Sequence, residues 1–222
     1  VFKLKFVLFL VATDTKPDNV SCHFKTILQH MNFFSKNRED ENKKRLQNLV
    51  NQTKKVDAPN GWTKTIFAIG GLSEIGFSKI NPNLILIVSS QGRGIIDCQK
   101  AKLTERDYDT NWDWINSYEM TALGIGALST EKILVSGLHG GGLPLMNKNG
   151  DALLFMATEW PIIDIIFEPE FKSIYQENEA KECFRIFHDY ELRAYGFSYD
   201  GETFVIATSS EINIFRRQKN VS

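Results

Sequence analysis

Cysteine is scarce in this sequence: Cys22, Cys98 and Cys183 are the three among 222 residues, and no two lie close together. That excludes a C-x-x-C redox motif and a zinc knuckle, which need paired thiolates at short spacing. Cys98 and Cys183 each sit in an apolar run and read as buried reduced thiols. An excess of one charge is also lacking. Twenty-six Lys and Arg offset 27 Asp and Glu, for a net charge of −1, so no global field draws the chain to nucleic acid or to an anionic membrane. No apolar run is long enough to span a bilayer. The Gly-Lys-Ser/Thr of a phosphate loop and the Gly-x-Ser-x-Gly elbow of a hydrolase are both absent. Asp107, Asp109 and Asp113 alternate, but without the Gly and terminal Glu of a calcium loop. Neither a metal nor a cofactor is expected. The partner classes left are another protein or a small ligand.

What is present is aromatic and β-branched. Phe occurs 16 times, and these residue types crowd the second half of the chain, a composition suited to pleated, half-buried surfaces. The first residues are different. Phe2-Lys3-Leu4-Lys5 precedes the apolar stretch Phe6 to Ala12, the order of a signal peptide without its A-x-A site. A secreted protein is thus the alternative to a cytoplasmic one; an edge strand, or a start at Met31, are the other readings of this stretch. His23 to His30 suggests a short helix. Ser35 can cap a helix, with Arg38-Glu39-Asp40-Glu41 in the first turns and Lys54-Lys55 at the end. Acids first and bases last complement the helix dipole. Leu46, Leu49 and Val50 give this helix, expected over about 36–55, one narrow apolar edge. Pro59-Asn60-Gly61 then marks a boundary. Residues 1–60 read as an N-terminal appendage, 61–217 as a β-repeat domain and 218–222 as a tail.

From Trp62 onward, strand-like runs of four to eight residues alternate with Gly, Pro and Asn clusters, an all-β pattern. A repeat emerges. Tyr195-Gly196-Phe197-Ser198 precedes Ala207-Thr208-Ser209-Ser210, and Ile75-Gly76-Phe77-Ser78 precedes Ile87-Val88-Ser89-Ser90, offset by the same 120 positions. A looser copy is Leu123-Gly124-Ile125-Gly126 followed by Ile133 to Gly137. Gly-Phe-Ser-x-Asp-Gly, a strand, Ala-Thr-Ser-Ser and a strand ending in Phe-Arg, over 194–216, resembles a blade of a WD40-like β-propeller. No Trp-Asp pair closes a blade and no Gly-His pair opens one, unlike true WD40 repeats. The resemblance implies a small propeller-like domain of about four short blades. Its units run Glu74–Asp109, Ala122–Trp160, Ile162–Tyr190 and Arg193–Arg217. The last has three strands of its own, and Trp62–Ile69 is the candidate fourth, which would close a ring. The alternative is an open β-sandwich or a partial propeller.

The chemically unusual stretch is His139-Gly140-Gly141-Gly142. It resembles a lipase oxyanion loop, and as backbone it reads as a glycine-rich hairpin or bulge. Gln91-Gly92-Arg93-Gly94 falls at the matching turn of the first unit, and Ser209-Ser210-Glu211 at that of the last. If these loops share one face, Arg93 and His139 converge with Ser90 and Ser210. The candidate binding residues are therefore Gln91, Gly92, Arg93, His139, Gly140, Gly141, Gly142 and Ser210, with no catalytic residue assigned. The expected function is a non-catalytic binding or interaction module, partner-binding or immunity-like. The alternative is a small-molecule binder or a hydrolase built on the His139 loop. Trp112 and Trp114 share a strand face or form a partner patch, Trp160 reads as a packed strand end, and His188 as a structural histidine.

Overall fold

The computed structural model of the chain describes residues 38–218. The expectations for the apolar segment at 1–12, the helix at His23–His30, Ser35 and Cys22 lie outside these residues. The chain divides into two units, Val1–Arg45 and Leu46–Ser222. Helix α1 runs over 38–52, and its residues up to 45 are exposed. No helix among the described residues is long and apolar enough to cross a membrane.

The second unit is mainly β and holds four sheets. Sheet I is the meander β3 (Leu72–Phe77), β4 (Leu84–Ser89), β5 (Gly92–Asp97) and β6 (Lys102–Asp107). Sheet II is β7 (Ile115–Asn116), β8 (Thr121–Leu123) and β9 (Lys132–Leu134). Sheet III is β11 (Ala152–Glu159), β12 (Ile162–Glu168) and β13 (Phe184–Asp189), with β1 (Lys54–Lys55) parallel to β13. Sheet IV is β14 (Ala194–Phe197), β15 (Thr203–Ala207), β16 (Glu211–Arg217) and β2 (Trp62–Ala68). The fourth strand that 194–216 lacks is thus β2, antiparallel to β16 from Arg217↔Trp62 to Glu211↔Ala68.

Strand periodicity explains the layering. On β4, Leu84, Leu86 and Val88 join Trp114, Ala122, Ile133 and Val135 near sheet II. Ile85 and Ile87 point the other way, into a cluster with Val205, Ala207, Ile212 and Ile214 of sheet IV. A strand buried on both faces reads as a continuous apolar run, which is what Leu84 to Val88 shows. On β15, Phe204 and Ile206 turn toward Leu153, Ile165 and Phe167 of sheet III, with Trp62 and Phe215 in the same cluster. Phe204 and Phe215 stack with centroids 4.4 Å apart, which adds roughly 0.5–1.5 kcal/mol to their burial. The far face of sheet III packs Met156, Ile166 and Cys183 against Leu46, Leu49 and Val50 of α1. The β unit therefore reaches back to Leu46, through the apolar edge of the helix.

The edge strands meet one crossing segment, 132–146. It leaves sheet II as β9 and becomes β10 (Ser136–Gly137), which pairs with β3. It then accepts the Phe197 amide at the Pro144 carbonyl, 2.7 Å, beside β14, and the Leu153 amide at Leu145, 2.9 Å, beside β11. Its passage covers edges that would otherwise present unpaired backbone groups. It also accounts for the Gly-Phe-Ser repeat. A Cβ on Gly76 would lie 2.3 Å from the Leu134 carbonyl oxygen, and one on Gly196 would lie 2.3 Å from Leu143 Cβ. The following Phe77 and Phe197 are core residues, and Ser78 and Ser198 are buried with their hydroxyls bonded to Glu131 and to the Thr203 carbonyl.

Two expectations change. The unit Ala122–Trp160 does not exist as one sheet, because 121–134 belong to sheet II and 152–159 to sheet III. The chain reverses at Asn147–Asp151, where the Asn147 side chain accepts from the Asn149 and Asp151 amides. Trp160 is 77 % exposed rather than packed, because it sits at the two-residue tip between Glu159 and Ile162.

Candidate functional site

The sharpest chemistry is at the start of β3. Glu74 is 2 % exposed, yet it is a carboxylate in a strand of apolar neighbours. Burying a charge costs several kcal/mol unless hydrogen bonds compensate. Here one oxygen accepts from the Ser73 hydroxyl, and the other accepts Nδ1–H of His139 at 2.5 Å. His139 is held from its own side as well. Gly137 to Gly140 form a tight turn closed by the Gly140 amide on the Gly137 carbonyl, 3.1 Å, with the return bond at 2.8 Å. Gly140 has φ +118°, a conformation that glycine adopts freely. The glycines thus present Leu138 and His139 at a turn tip. With Nδ1 committed to Glu74, Nε2 is left to accept or donate.

His139, Glu74 and Ser73 line a cavity of about 520 Å³, with Ser90, Trp112 and Leu138 among the other walls. Trp112 has φ +62°, which is unusual for a bulky residue and typical of strain kept at a site. Its loop is tied down. Asp107 accepts the Asp109 amide, Asp109 accepts the Asn111 amide, and the Trp114 indole donates to the Asp109 carbonyl. Trp112 lies 5.2 Å from the buried Trp114 and is 39 % exposed.

The residues expected to converge part company. Ser90 and His139 line the same cavity. Arg93 does not join them: its Nε donates to Asp107 at 3.0 Å, its Nη1 donates to the Leu123 carbonyl at 2.6 Å, and its guanidinium lies over Trp114. These bonds tie β5 to β6 and to sheet II. The Asp109 amide first, and Arg93 second, hold Asp107 below the usual carboxylate range. Gly92 and Arg93 belong to β5, so the turn is Ser90–Gln91 rather than 91–94. Gly92, at φ +98°, has no room for a side chain because the Asp107 carbonyl would lie 2.3 Å from its Cβ. Gly140, Gly141 and Gly142 border a separate cavity of about 270 Å³ with Phe155 and Tyr195. Ser210 is at the β15–β16 tip, where its carbonyl accepts the Ile69 amide at 2.8 Å.

Glu74 and Ser73 are absent from the expected site. A signal for Glu74 exists in the repeat: the 120-residue offset aligns it with Ala194. An acid stands where the clearest copy has a small apolar residue. Among the described residues, no group of three or more His, Cys, Asp and Glu is arranged to hold a metal ion. Comparison with family models, curated proteins and solved structures finds no match.

Proposed function

We propose that the β unit is a small-molecule-binding domain whose site is the His139–Glu74 cavity. The observation that carries this reading is Glu74, a 2 % exposed carboxylate that fixes a histidine on the wall of a cavity of about 520 Å³. That volume lies in the range of ligand pockets, roughly 300–1,000 Å³. Keeping a carboxylate buried only to orient an imidazole is a device of binding and catalytic sites. Trp112, Ile115 and Leu138 offer a face to a flat apolar body, while His139, Ser90 and Ser117 offer hydrogen bonds to its polar edge. Binding is favoured over hydrolysis. The Ser73 hydroxyl is engaged with Glu74, and no serine hydroxyl is hydrogen-bonded to His139 among the described residues. A protein-docking face over 91–94, 139–142 and 209–211 has less support, because Arg93 is spent inside the fold.

The scaffold is a partial propeller in this reading. Four sheets in succession share three apolar interfaces, and α1 covers the open face of sheet III. The β2–β16 pairing completes sheet IV, but among the described residues no apolar cluster joins sheets II and III, so in this reading the ring stays open.

The test is a small-molecule panel read by thermal stability, on the wild type, His139→Ala and Glu74→Gln. A stabilising ligand whose shift disappears in both variants supports the reading. Shifts of equal size in all three proteins would place the ligand elsewhere.

A further inference from the structure

We propose a second site, independent of the first, that binds a small oxyanion between Lys55, Arg185 and His188. β1 sets Lys55 directly beside Arg185 on β13, and the Val56 amide donates to the Arg185 carbonyl at 3.2 Å. Two adjoining cavities, of about 190 and 340 Å³, have Lys55, Arg185 and His188 in common on their walls. Three basic side chains therefore divide a continuous groove at the edge of sheet III.

Arg185 is the decisive residue. It is 8 % exposed. A guanidinium has five N–H donors, but among the described residues Arg185 makes one side-chain hydrogen bond, Nη1 to Asp164 at 3.3 Å. Its Nε has no partner among the described residues. Of the arginines in that condition, Arg185 alone is more than nine-tenths buried. Burial pulls its pKa down, as expected where charge is poorly compensated.

The nearby carboxylates leave that deficit open. The same Asp164 oxygen accepts His188 Nδ1–H at 2.6 Å, so one carboxylate serves two basic groups. Glu159 accepts from Gln47, and Asp57 pairs with Lys64 at 2.8 Å. An oxyanion at the junction satisfies the free guanidinium donors and takes a further bond from Lys55, the arrangement that charge-assisted recognition uses. Asn51 and Thr158 line the smaller cavity together with Asp164 and Glu159, so its walls are polar and the anion's place is at the Lys55, Arg185 and His188 side. Phosphate and carboxylate share this chemistry.

The experiment titrates the full chain with inorganic phosphate and, separately, with acetate, against chloride at matched ionic strength. Binding is followed by the His188 ring signals in NMR. The expected result is a saturable shift with one anion or both: phosphate identifies a phosphate ligand, acetate a carboxylate one. Lys55→Gln alters an exposed side chain and leaves the fold intact, and Arg185→Lys keeps the charge but loses the fork. Each weakens binding by about tenfold, the effect of one charge-assisted contact, while His139→Ala leaves it unchanged. No saturable shift beyond chloride, or equal binding by wild type and Lys55→Gln, overturns the proposal.

Discussion

Gly76→Ala tests the claim that segment 132–146 is the common seam of the sheets. The added Cβ would lie 2.3 Å from the Leu134 carbonyl oxygen and 2.8 Å from Ile133 Cγ2. Ordinary contact begins near 3.4 Å, so β3 and the crossing segment must part by about 1 Å. Overpacking of this kind costs roughly 1–3 kcal/mol. If β10 also detaches from β3, each lost backbone hydrogen bond adds about 1 kcal/mol. Against this, replacing Gly by Ala restricts the unfolded chain and returns roughly 0.4–1 kcal/mol. The net expectation is a loss of about 2 kcal/mol. Gly70→Ala is the control, because nothing lies within 4 Å of its Cβ position; it should be neutral or stabilising by up to about 1 kcal/mol. Urea unfolding followed by circular dichroism reads both. With a slope of roughly 2 kcal/mol/M, Gly76→Ala moves the midpoint down by about 1 M with the slope unchanged. A midpoint for Gly76→Ala at or above that of Gly70→Ala would refute the close approach.

Trp62→Ala removes the ring that meets Phe167, Phe197 and Phe204 and lies under Arg217; urea unfolding should show a loss of roughly 3–5 kcal/mol. Arg93→Ala should cost about 2–3 kcal/mol by the same assay, from two charge-assisted bonds and its packing on Trp114, and should leave ligand binding at the His139 cavity intact. Burial raises the Asp164 pKa against the opposing pull of His188. A raised folded value means this group's stabilisation is complete below its unfolded pKa and is lost as pH climbs through the folded one. The wild type minus Asp164→Asn difference in urea midpoint should therefore shrink as pH rises from about 4; a growing difference contradicts it. Burial pushes the thiols of Cys98 and Cys183 up to about 12. Peptide mapping after alkylation of the native protein at pH 8 should find both unmodified, and both modified in urea.

Much of the β unit was readable because its signals are local. The apolar run Leu84–Val88 and the two Gly-Phe-Ser copies mark real strands. The pairing of β2 with β16 followed from counting strands in the last unit. The boundary after residue 134 was not recovered. Val135 to Leu145 looks like the continuation of a sheet, and only the contacts of 132–146 with distant edges reveal a crossing. Asn149-Gly150 was an available turn signal there. The site was half legible. His139 stood out by its glycines, but its partner Glu74 lies 65 residues earlier, and nothing local ties the two together. Arg93 drew attention as an exposed turn residue, whereas the hairpin tip closes one pair sooner and leaves it in the strand, with Asp107 opposite. The His188 partner is Asp164, across the β12–β13 ladder and 24 residues earlier, which no local signal shows.

NMR of the ¹⁵N-labelled protein with a stabilising compound from the panel reads the His139–Glu74 cavity itself. If the cavity is the ligand site, the His139 ring and the Trp112 indole shift together and saturate at one concentration, and the shift is lost in Glu74→Gln. A stabilising compound that leaves both signals unmoved while shifting others would contradict it.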